Sequence, residues 1–231
     1  MRAVPSRPYD VVFLDAGGVL VSPHPDPITE RFVDAGFAID PGRLLEAHYQ
    51  GMLAIDEAHA EPEVFDDYHR AYVRHLGLAD NRAAAAVLQD LWGRSGLWSQ
   101  PLPWAAAGLA AIAATGVPIV IVSNADGTVA ELLTSIGLLQ VGDGTGVAVA
   151  GIVDSGAVGV AKPDPRIFEL ALALAGTTAD RAIHVGDAYQ YDVLGARAAG
   201  IAPVLVDPYG LHANADCQRV ANLVEVADLL T

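Results

Sequence analysis

The sequence predicts an α/β protein whose core is a doubly wound, Rossmann-like parallel sheet with an inserted all-helical cap domain. Apolar runs that do not alternate with polar residues are typical of strands buried on both faces, and such runs alternate with helical patterns after Pro103. From residue 28 to about residue 96, by contrast, no strand-like run occurs. We therefore predict a discontinuous core formed by residues 1–20 and 101–231, and a helical cap formed by residues 21–100.

The first strand is predicted at Val11–Leu14, where four apolar residues precede Asp15. Prolines at positions 23, 25 and 27 then indicate that the chain leaves the sheet. Three helical patterns follow in the cap, each bordered by a glycine. These helices are predicted over residues 43–56, 63–76 and 81–92.

After Pro103 the pattern predicts helices that alternate with buried strands. Gly116 and Gly200 mark the ends of two helices, because glycine readily adopts the left-handed conformation found at helix C-termini. Asp164 and Pro165 suit the N-cap and the first turn of another helix. The predicted strands are 117–122, 151–154, 182–185 and 203–206, and the predicted helices are 104–115, 127–136, 165–175, 192–199 and 220–230.

Composition and charge limit the classes of protein. Of the 231 residues, 52% are hydrophobic, which is enough for a substantial core, and 13 basic against 28 acidic residues give a net charge of −15. This charge disfavours nucleic acid and anionic membranes as partners, because the long-range electrostatic force would be repulsive.

Cys217 is the only cysteine and the start shows no signal peptide, so we expect a cytoplasmic protein. The uncharged stretch 95–125 is divided by residues 116–118, which favours a helix, a turn and a strand over a membrane span.

Reactive side chains follow the predicted strands at one edge of the sheet. Asp15 follows the first strand, Ser123 and Asn124 follow the second, and Asp187 comes soon after the strand at 182–185. Ligands of open parallel sheets bind beyond the carboxyl ends of the strands. We therefore expect these side chains to converge on one pocket.

Lys162 and Asp192 are expected at the same edge. Pro163 biases Lys162 toward an extended backbone, which places it in the approach to the helix at Pro165, and Asp192 begins the helix that follows Asp187. Carboxylates this close resist joint ionisation, and a hard divalent cation removes that conflict. Mg²⁺ takes one or two protein carboxylates beside a phosphate, while a lysine and the amides of a helix start favour the anion. The pattern predicts a magnesium-dependent phosphate site with a carboxylate nucleophile.

Four motifs in sequence order make the chain resemble the haloacid dehalogenase (HAD) superfamily of hydrolases over nearly its whole length. They are Asp15 with Gly17-Gly18-Val19-Leu20, Ser123 after its apolar strand, Lys162-Pro163-Asp164-Pro165, and Gly186-Asp187 with Asp192, Gly195-Ala196 and Ala199-Gly200. Each motif alone is weak, whereas all four in order form a specific pattern. The helical insertion after the first motif is similar to the cap of one subgroup.

The resemblance implies a role for each matching residue. Asp15 would attack phosphorus and form an aspartyl-phosphate, and Lys162 would also offset the charge of Asp15. Ser123, Asn124 and Lys162 would bind the phosphoryl group. The implied reaction is hydrolysis of a small-molecule phosphate monoester, whose identity the sequence leaves open together with the choice between monomer and homodimer. The implied ligands of Mg²⁺ are Asp15, Gly17 through its carbonyl oxygen, Asp187 and Asp192.

Gly17 departs from the family pattern. Family phosphatases usually carry a second aspartate two positions after the nucleophile, and it protonates the leaving group and later activates water. Such an acid–base group contributes about 10²–10⁴-fold to the rate. Three interpretations follow: a phosphatase whose leaving group needs little protonation or whose acid lies elsewhere, for example at His24; a 2-haloacid dehalogenase, which also lacks this aspartate and needs no metal; or a phospho-ligand binding protein with little or no catalysis.

Other conspicuous residues have structural interpretations. The cap histidines from His48 to His75 lack zinc-ligand spacing and are expected to be solvated, whereas His184 is expected to be a hydrogen-bonded core residue. The glycine-rich segment 142–146 lacks the preceding strand that a nucleotide-binding loop needs. Packing between cap and core is expected for Trp92, Trp98 and Trp104.

Overall fold

The computed structural model describes residues 7–58, 64–79, 81–92, 94 and 96–231. Its strands are β1 (Val11–Leu14), β2 (Val21–Ser22), β3 (Gln100–Pro101), β4 (Ile119–Ser123), β5 (Leu139–Val141), β6 (Val147–Val149), β7 (Gly151–Asp154), β8 (Ala182–Gly186), β9 (Ala202–Val206) and β10 (Gln218–Val220). Its α-helices are α1 (Pro25–Asp34), α2 (Leu44–Glu57), α3 (Val64–His75), α4 (Arg82–Trp92), α5 (Ala105–Thr115), α6 (Val129–Ser135), α7 (Ser155–Val158), α8 (Pro165–Ala175) and α9 (Leu194–Ala198). Turns of 3₁₀-helix cover Pro41–Arg43, Ala179–Arg181 and Leu223–Leu229, and a π-helical turn covers Tyr189–Val193.

The main sheet has six parallel strands in the order β10-β9-β8-β1-β4-β7. Strand β1 lies near its centre, where Leu14 pairs with Ile121 of β4 on one side and with Val185 of β8 on the other. Every residue of β1, β4 and β8 is buried, as expected for strands covered by helices on both faces. The predicted fold class, a doubly wound parallel α/β sheet, is confirmed.

Apolar clusters cover both faces of this sheet. On one face Val12 packs in a cluster with Leu109 of α5, and on the other face Phe13 packs in a cluster with Phe168 of α8. Neighbouring residues of β1 therefore point to opposite faces, as the pleat of a strand requires. The predicted helix 220–230 is wrong, because β10 occupies its start and a 3₁₀ segment, Leu223–Leu229, packs against α5 in its place.

Helices α1 to α4 enclose a separate apolar cluster. It is built around Ile28, Phe32, Tyr68, Tyr72 and Leu88, each of them at most 1% exposed. The described part of the second predicted cap helix, 63–76, begins at Val64, since the predicted start at residue 63 lies outside the described residues. The division into a core of residues 1–20 and 101–231 and a cap of residues 21–100 stays a prediction, which this separate cluster supports.

Helix α1 forms where three prolines predict an irregular exit from the sheet. Pro25 and Pro27 occupy its first turn, where a missing backbone N–H costs nothing because those donors have no partner within the helix. Residues Ile28 and Phe32 then supply the buried face, spaced by one helical turn. Burial of this face against the rest of the protein stabilises a helix that the local sequence only weakly favours.

The region around the glycine-rich loop also differs from expectation. Short strands β5 and β6 flank residues 142–146 and pair in parallel, with Leu139 opposite Val147. The side chain of Gln140 accepts a hydrogen bond from the Gly146 N–H at 2.8 Å and donates one to the Gly146 carbonyl at 3.1 Å. The hydrogen bonds of Gln140 and the pairing of β5 with β6 thus hold the two ends of the loop together.

The uncharged stretch 95–125 divides as predicted. Helix α5 ends at Gly116, whose φ of 72° is left-handed, and β4 begins at Ile119. Across the described ranges, no helix combines the length and the apolar character needed to cross a membrane.

We predict that Leu109→Ala lowers the free energy of unfolding by about 2–5 kcal/mol, because it leaves a cavity in the core between α5 and the sheet. Urea unfolding followed by circular dichroism measures this change. The matched control is Leu170→Ala in α8, where the leucine is 43% exposed and the change should be within about 0.5 kcal/mol. Equal losses in both variants would contradict this assignment of the core.

Candidate active site

The carboxyl ends of three adjacent strands bring polar side chains to one cavity. Asp15 follows β1, Ser123 is the last residue of β4, and Asp187 follows β8. Their exposed fractions are only 9%, 3% and 3%. They line a cavity of about 780 Å³ together with Lys162 and Asp192. The topology of the sheet accounts for this meeting, since β4 and β8 both pair with β1.

The ammonium group of Lys162 lies between two carboxylates. Its Nζ is 2.9 Å from Oδ2 of Asp15 and 2.6 Å from Oδ1 of Asp192, and its side chain is 1% exposed. Burial alone would lower the pKa of Lys162, but the two carboxylates outweigh burial and raise it above its usual range. Lys162 is therefore a fixed positive charge at the floor of the cavity.

Two predicted site residues hold local structure through their side chains. The amide of Asn124 accepts a hydrogen bond from the Lys162 N–H at 2.8 Å and donates one to the Lys162 carbonyl at 2.9 Å. This pair of bonds fixes the backbone that presents the lysine. His24 caps α1 by accepting a bond from the Asp26 N–H at 3.3 Å, and it is not among the residues that line the cavity.

Three carboxylates share the cavity floor. Asp15, Asp187 and Asp192 each offer one oxygen, and these oxygens lie within 4.8 Å of one another. A cluster of buried, oxygen-only donors is the set that a hard divalent cation such as Mg²⁺ takes, so the residues fit the ion implied by the sequence. The close approach depends on Gly18, with φ of 64°, because a Cβ at that position would overlap the carboxylate of Asp187.

Asp192 is anchored at both oxygens. Oδ1 accepts from Nε2 of His184 at 2.8 Å as well as from Lys162, and Oδ2 accepts from the Ala188 N–H at 3.0 Å. Burial would raise the pKa of Asp192, but Lys162 and His184 together hold it well below its usual range. The expectation that His184 is a hydrogen-bonded core residue is confirmed, since it is fully buried. This arrangement makes Asp192 the most firmly ionised carboxylate of the three.

Asp15 has the opposite electrostatic character. Burial, opposed by Lys162 and assisted by the nearby charges of Asp192 and Asp187, raises the pKa of Asp15 to about 7. Its Oδ1 accepts the backbone N–H of Ala16 at 2.7 Å. A positive charge added to the cavity would therefore favour the ionised form of Asp15.

His48 is a site residue that sequence reasoning missed. The expectation that it is solvated is wrong, because it is 1% exposed, with Nε2 3.1 Å from Oδ2 of Asp187 and Nδ1 2.9 Å from the Tyr68 hydroxyl. A usable signal was present in the spacing of α2, where Leu44, His48 and Ile55 lie on one buried face. What the sequence did not show was that this face meets the cavity.

Helix α2 makes two further contacts with the core. The Tyr49 hydroxyl donates to the Gly18 carbonyl at 2.6 Å, which holds the loop after Asp15. The carboxylate of Asp56 accepts the backbone N–H groups of Tyr189 and Gln190, each at 2.9 Å. These two donors stand at the start of the helical turn that carries Asp192. One helix of the predicted cap thus reaches both loops that form the carboxylate cluster.

An indole ring lies beside Gly17, the position that departs from the family pattern. A Cβ built on Gly17 would be 3.2 Å from Cζ3 of Trp98. Trp98 is half-buried, lines the same cavity and meets Trp92 edge-to-face with ring centroids 5.8 Å apart. The space where a second aspartate would start is therefore bounded by an aromatic wall.

Comparisons with known proteins place this arrangement in one family. The profile of the haloacid dehalogenase-like hydrolases matches residues 9–200. The haloacid dehalogenase-like hydrolase domain-containing protein 3 of Bos taurus is 35% identical over 144 residues, which is 60% of this chain and 51% of that protein. A phosphoserine phosphatase of Thermus thermophilus is 46% identical over 79 residues, covering 32% of this chain and 31% of that enzyme. The chain spans about half the length, or less, of these curated relatives.

Structural similarity extends over nearly the whole chain. The HAD-hydrolase YfnB from Bacillus subtilis, solved bound to magnesium, superposes with a TM-score of 0.64 over 96% of this chain and 99% of that chain. Sequence identity in this comparison is 16%, so the likeness concerns the fold alone.

We predict that Asp15→Asn stabilises the metal-free protein, and that the stabilisation is larger at pH 8 than at pH 5. The pKa of Asp15 is about 7 in the fold against 3.8 as the ordinary value, so its stabilising contribution is present at low pH and is lost as the pH rises from about 4 to 7. An amide carries no such loss. The melting temperature measured with chelator should rise at pH 8 by about 2–4 °C for each kcal/mol regained.

The matched control for this measurement is Asp143→Asn, which removes an exposed carboxylate from the loop between β5 and β6. It should leave the melting temperature unchanged at both pH values. A melting temperature of Asp15→Asn below that of the wild type at pH 8 would contradict the electrostatic account of Asp15.

Proposed function

The chain belongs to the haloacid dehalogenase-like hydrolases, and on that premise we propose that it is a Mg²⁺-dependent phosphatase acting on a small phosphate monoester through an aspartyl-phosphate on Asp15. The observation that carries this proposal is the position of Lys162, whose ammonium lies 2.9 Å from Asp15 and 2.6 Å from Asp192 in the cavity that Asp187 also lines. A buried cation beside a carboxylate nucleophile suits an anionic phosphoryl group.

The proposed roles follow from position. Asp15 attacks phosphorus with one carboxylate oxygen, and the bond from phosphorus to the ester oxygen breaks. Lys162 and the Ser123 hydroxyl hold the phosphoryl oxygens, and a contact from Asn124 comes through its backbone, since its side-chain amide is engaged by Lys162. Water then attacks phosphorus and releases inorganic phosphate and free Asp15.

The proposed metal site is formed by Asp15, Asp187, Asp192 and the carbonyl oxygen of Gly17. A bound Mg²⁺ would supply positive charge that neutralises the phosphate and favours ionised Asp15. Asp187 offers a carboxylate beside Asp15, whereas both oxygens of Asp192 already accept hydrogen bonds. We therefore propose that Asp192 acts mainly by fixing Lys162 and the loop around Asp187.

Residues 21–100 are proposed to form the cap over this cavity. Met52, Trp92 and Trp98 come from that region and line the cavity opposite the strand ends. A cap that closes over the phosphoryl group excludes water from the first step of the reaction. The reducing environment that suits a single cysteine makes the cytoplasm the proposed location.

The sequence analysis left two alternative functions, phospho-ligand binding and 2-haloacid dehalogenation. Binding of a phospho-ligand with weak catalysis is favoured by one observation, the aromatic wall that stands beside Gly17 where the family's acid would be. A 2-haloacid dehalogenase would not need the buried group of Asp15, Asp187 and Asp192, whose mutual repulsion calls for a cation. The phosphatase accounts for both the carboxylates and the lysine.

We predict that the wild type hydrolyses activated phosphates, 4-nitrophenyl phosphate and acetyl phosphate, with Mg²⁺ and not with chelator. Asp15→Asn should lower kcat/KM by at least about 10³-fold because it removes the nucleophile. Acid-quenched wild type should carry covalent phosphate by mass spectrometry, and the variant should carry none.

Asp143→Asn is again the matched control and should retain full activity. Unimpaired turnover by Asp15→Asn would overturn the proposal. Tight phosphate binding without turnover would favour the binding protein, and chloride release from 2-chloropropionate without metal would favour the dehalogenase.

A further inference from the structure

Resting on the proposed function, we infer that the site takes aryl phosphates, esters whose leaving oxygen is weakly basic and is attached to a planar ring, and that Trp98 is the residue that recognises the ring. Three observations lead to this substrate class: the place of Trp98, the character of the cavity beyond the carboxylates, and the state of the proton donors that line it.

Trp98 stands where the leaving group would emerge. Gly17 lies two residues beyond Asp15, and a Cβ at Gly17 would be 3.2 Å from the indole, closer than an ordinary van der Waals contact. The ring is held edge-to-face by Trp92, at 5.8 Å and 74°, and by His48, at 5.2 Å and 83° between ring planes. Within the described ranges its indole N–H has no hydrogen-bond partner. Trp98 therefore presents a fixed, partly open aromatic surface to whatever extends from the phosphoryl group.

The cavity is much larger than a phosphate needs, and part of its wall is apolar. Its volume of about 780 Å³ falls in the range of small-molecule pockets, about 300–1,000 Å³. The half-buried side chains of Met52, Trp92, Trp98 and Tyr191 line it, beside the fully buried Ile55. Burial of this exposed apolar surface by an apolar ligand contributes favourable binding free energy. The leaving group that fits is apolar and flat.

Two groups of the cavity wall that could transfer a proton, His48 and Asp126, are already engaged in hydrogen bonds. Both ring nitrogens of His48 have partners, Asp187 and Tyr68. Asp126 accepts hydrogen bonds from the hydroxyl and the N–H of Thr128, which lower its pKa and keep it ionised. Glu131 is exposed on α6. The carboxyl groups on the cavity wall are Asp15, Asp126, Glu131, Asp187 and Asp192.

The first step can proceed without an acid only for a leaving group that tolerates negative charge. An Asp15 oxygen forms a bond to phosphorus, and the ester oxygen departs with the electron pair of the broken bond. As an aryloxide it takes its proton from solvent after leaving. An alkoxide from an alkyl ester would need that proton during bond breaking, and a missing acid costs about 10²–10⁴-fold. In the second step water gives its oxygen to phosphorus, its protons pass to phosphate and solvent, and Asp15 leaves.

The test compares phenyl phosphate with cyclohexyl phosphate, two esters of nearly equal size that differ in planarity and in leaving-group basicity. We expect kcat/KM with Mg²⁺ to favour phenyl phosphate by at least about 10²-fold. The quantity kcat/KM is the correct one because it reports the step in which the ester bond breaks. A ratio below about threefold would overturn the inference.

Acetyl phosphate separates this inference from the proposed function. It carries a weakly basic leaving group that is too short to cover the aromatic wall. If neither acetyl phosphate nor an aryl phosphate is hydrolysed, the proposed phosphatase function itself is refuted. Turnover of acetyl phosphate with equal use of phenyl and cyclohexyl phosphates refutes only the substrate class.

Variants at Trp98 test recognition of the ring. Trp98→Ala should lower kcat/KM for phenyl phosphate by about 3- to 10-fold more than kcat/KM for acetyl phosphate, and Trp98→Phe should restore the difference. An equal loss on both substrates would show that Trp98 only supports the fold and would overturn its role. The wild-type comparison of the two ring esters stands even where Trp98→Ala does not fold.

Variants at Gly17 test the missing acid. Gly17→Asp adds a carboxyl group at the family position, and Gly17→Ala adds the same Cβ, 3.2 Å from Trp98, without the acid. We expect Gly17→Asp to raise kcat/KM for cyclohexyl phosphate at least about 10-fold relative to Gly17→Ala. Equal values for these two variants would contradict the claim that leaving-group protonation limits alkyl esters.

Discussion

The buried ammonium of Lys162 is the charge on which the site depends. Three carboxylates meet at the ends of the central strands, and without an opposite charge their burial would be strongly unfavourable. Lys162 binds two of them, and Asn124 fixes the lysine backbone through both the oxygen and the nitrogen of its side-chain amide. The two carboxylates are not stabilised equally, because Asp192 is closer to Lys162 than Asp15 is and accepts hydrogen bonds from two other donors. Asp192 is consequently a stable anion, whereas Asp15 keeps a raised pKa and depends on further positive charge.

The sheet and the carboxylate cluster could be predicted because their signals are local. Each strand is a short apolar run, and each reactive group follows its strand within a few residues, so the strand order alone brings Asp15, Ser123 and Asp187 together. Contacts made by the helical region could not be predicted in this way. His48 and Asp187 are 139 residues apart in sequence, and Asp56 and Tyr189 are 133 apart. No spacing rule links such positions, because their meeting depends on how α2 packs on the core.

Local signals also failed where tertiary packing decided the structure. The end of the chain has helical periodicity but forms β10 and a 3₁₀ segment, Leu223–Leu229, which packs closely against α5. A Cβ on Gly108 would lie 2.6 Å from Cβ of Leu223, which shows how near the two segments come. At Gly17 the sequence was informative but incomplete. Its identity marked the departure from the family pattern, but only the fold showed that Trp98, from a distant part of the chain, stands beside it.

The contact of Asp56 with the core is chemically a helix N-cap supplied by a different part of the chain. An aspartate that accepts the first N–H groups of a helix contributes about 0.5–2 kcal/mol when it belongs to the same segment. Here the acceptor sits on α2 and the donors belong to Tyr189 and Gln190, just before Asp192. Separation of α2 from the core would therefore uncap the turn that carries Asp192. By thermodynamic reciprocity, whatever orders that turn also favours the contact of α2 with the core, so binding of the proposed ligand and the proposed closure of the cap would be energetically coupled.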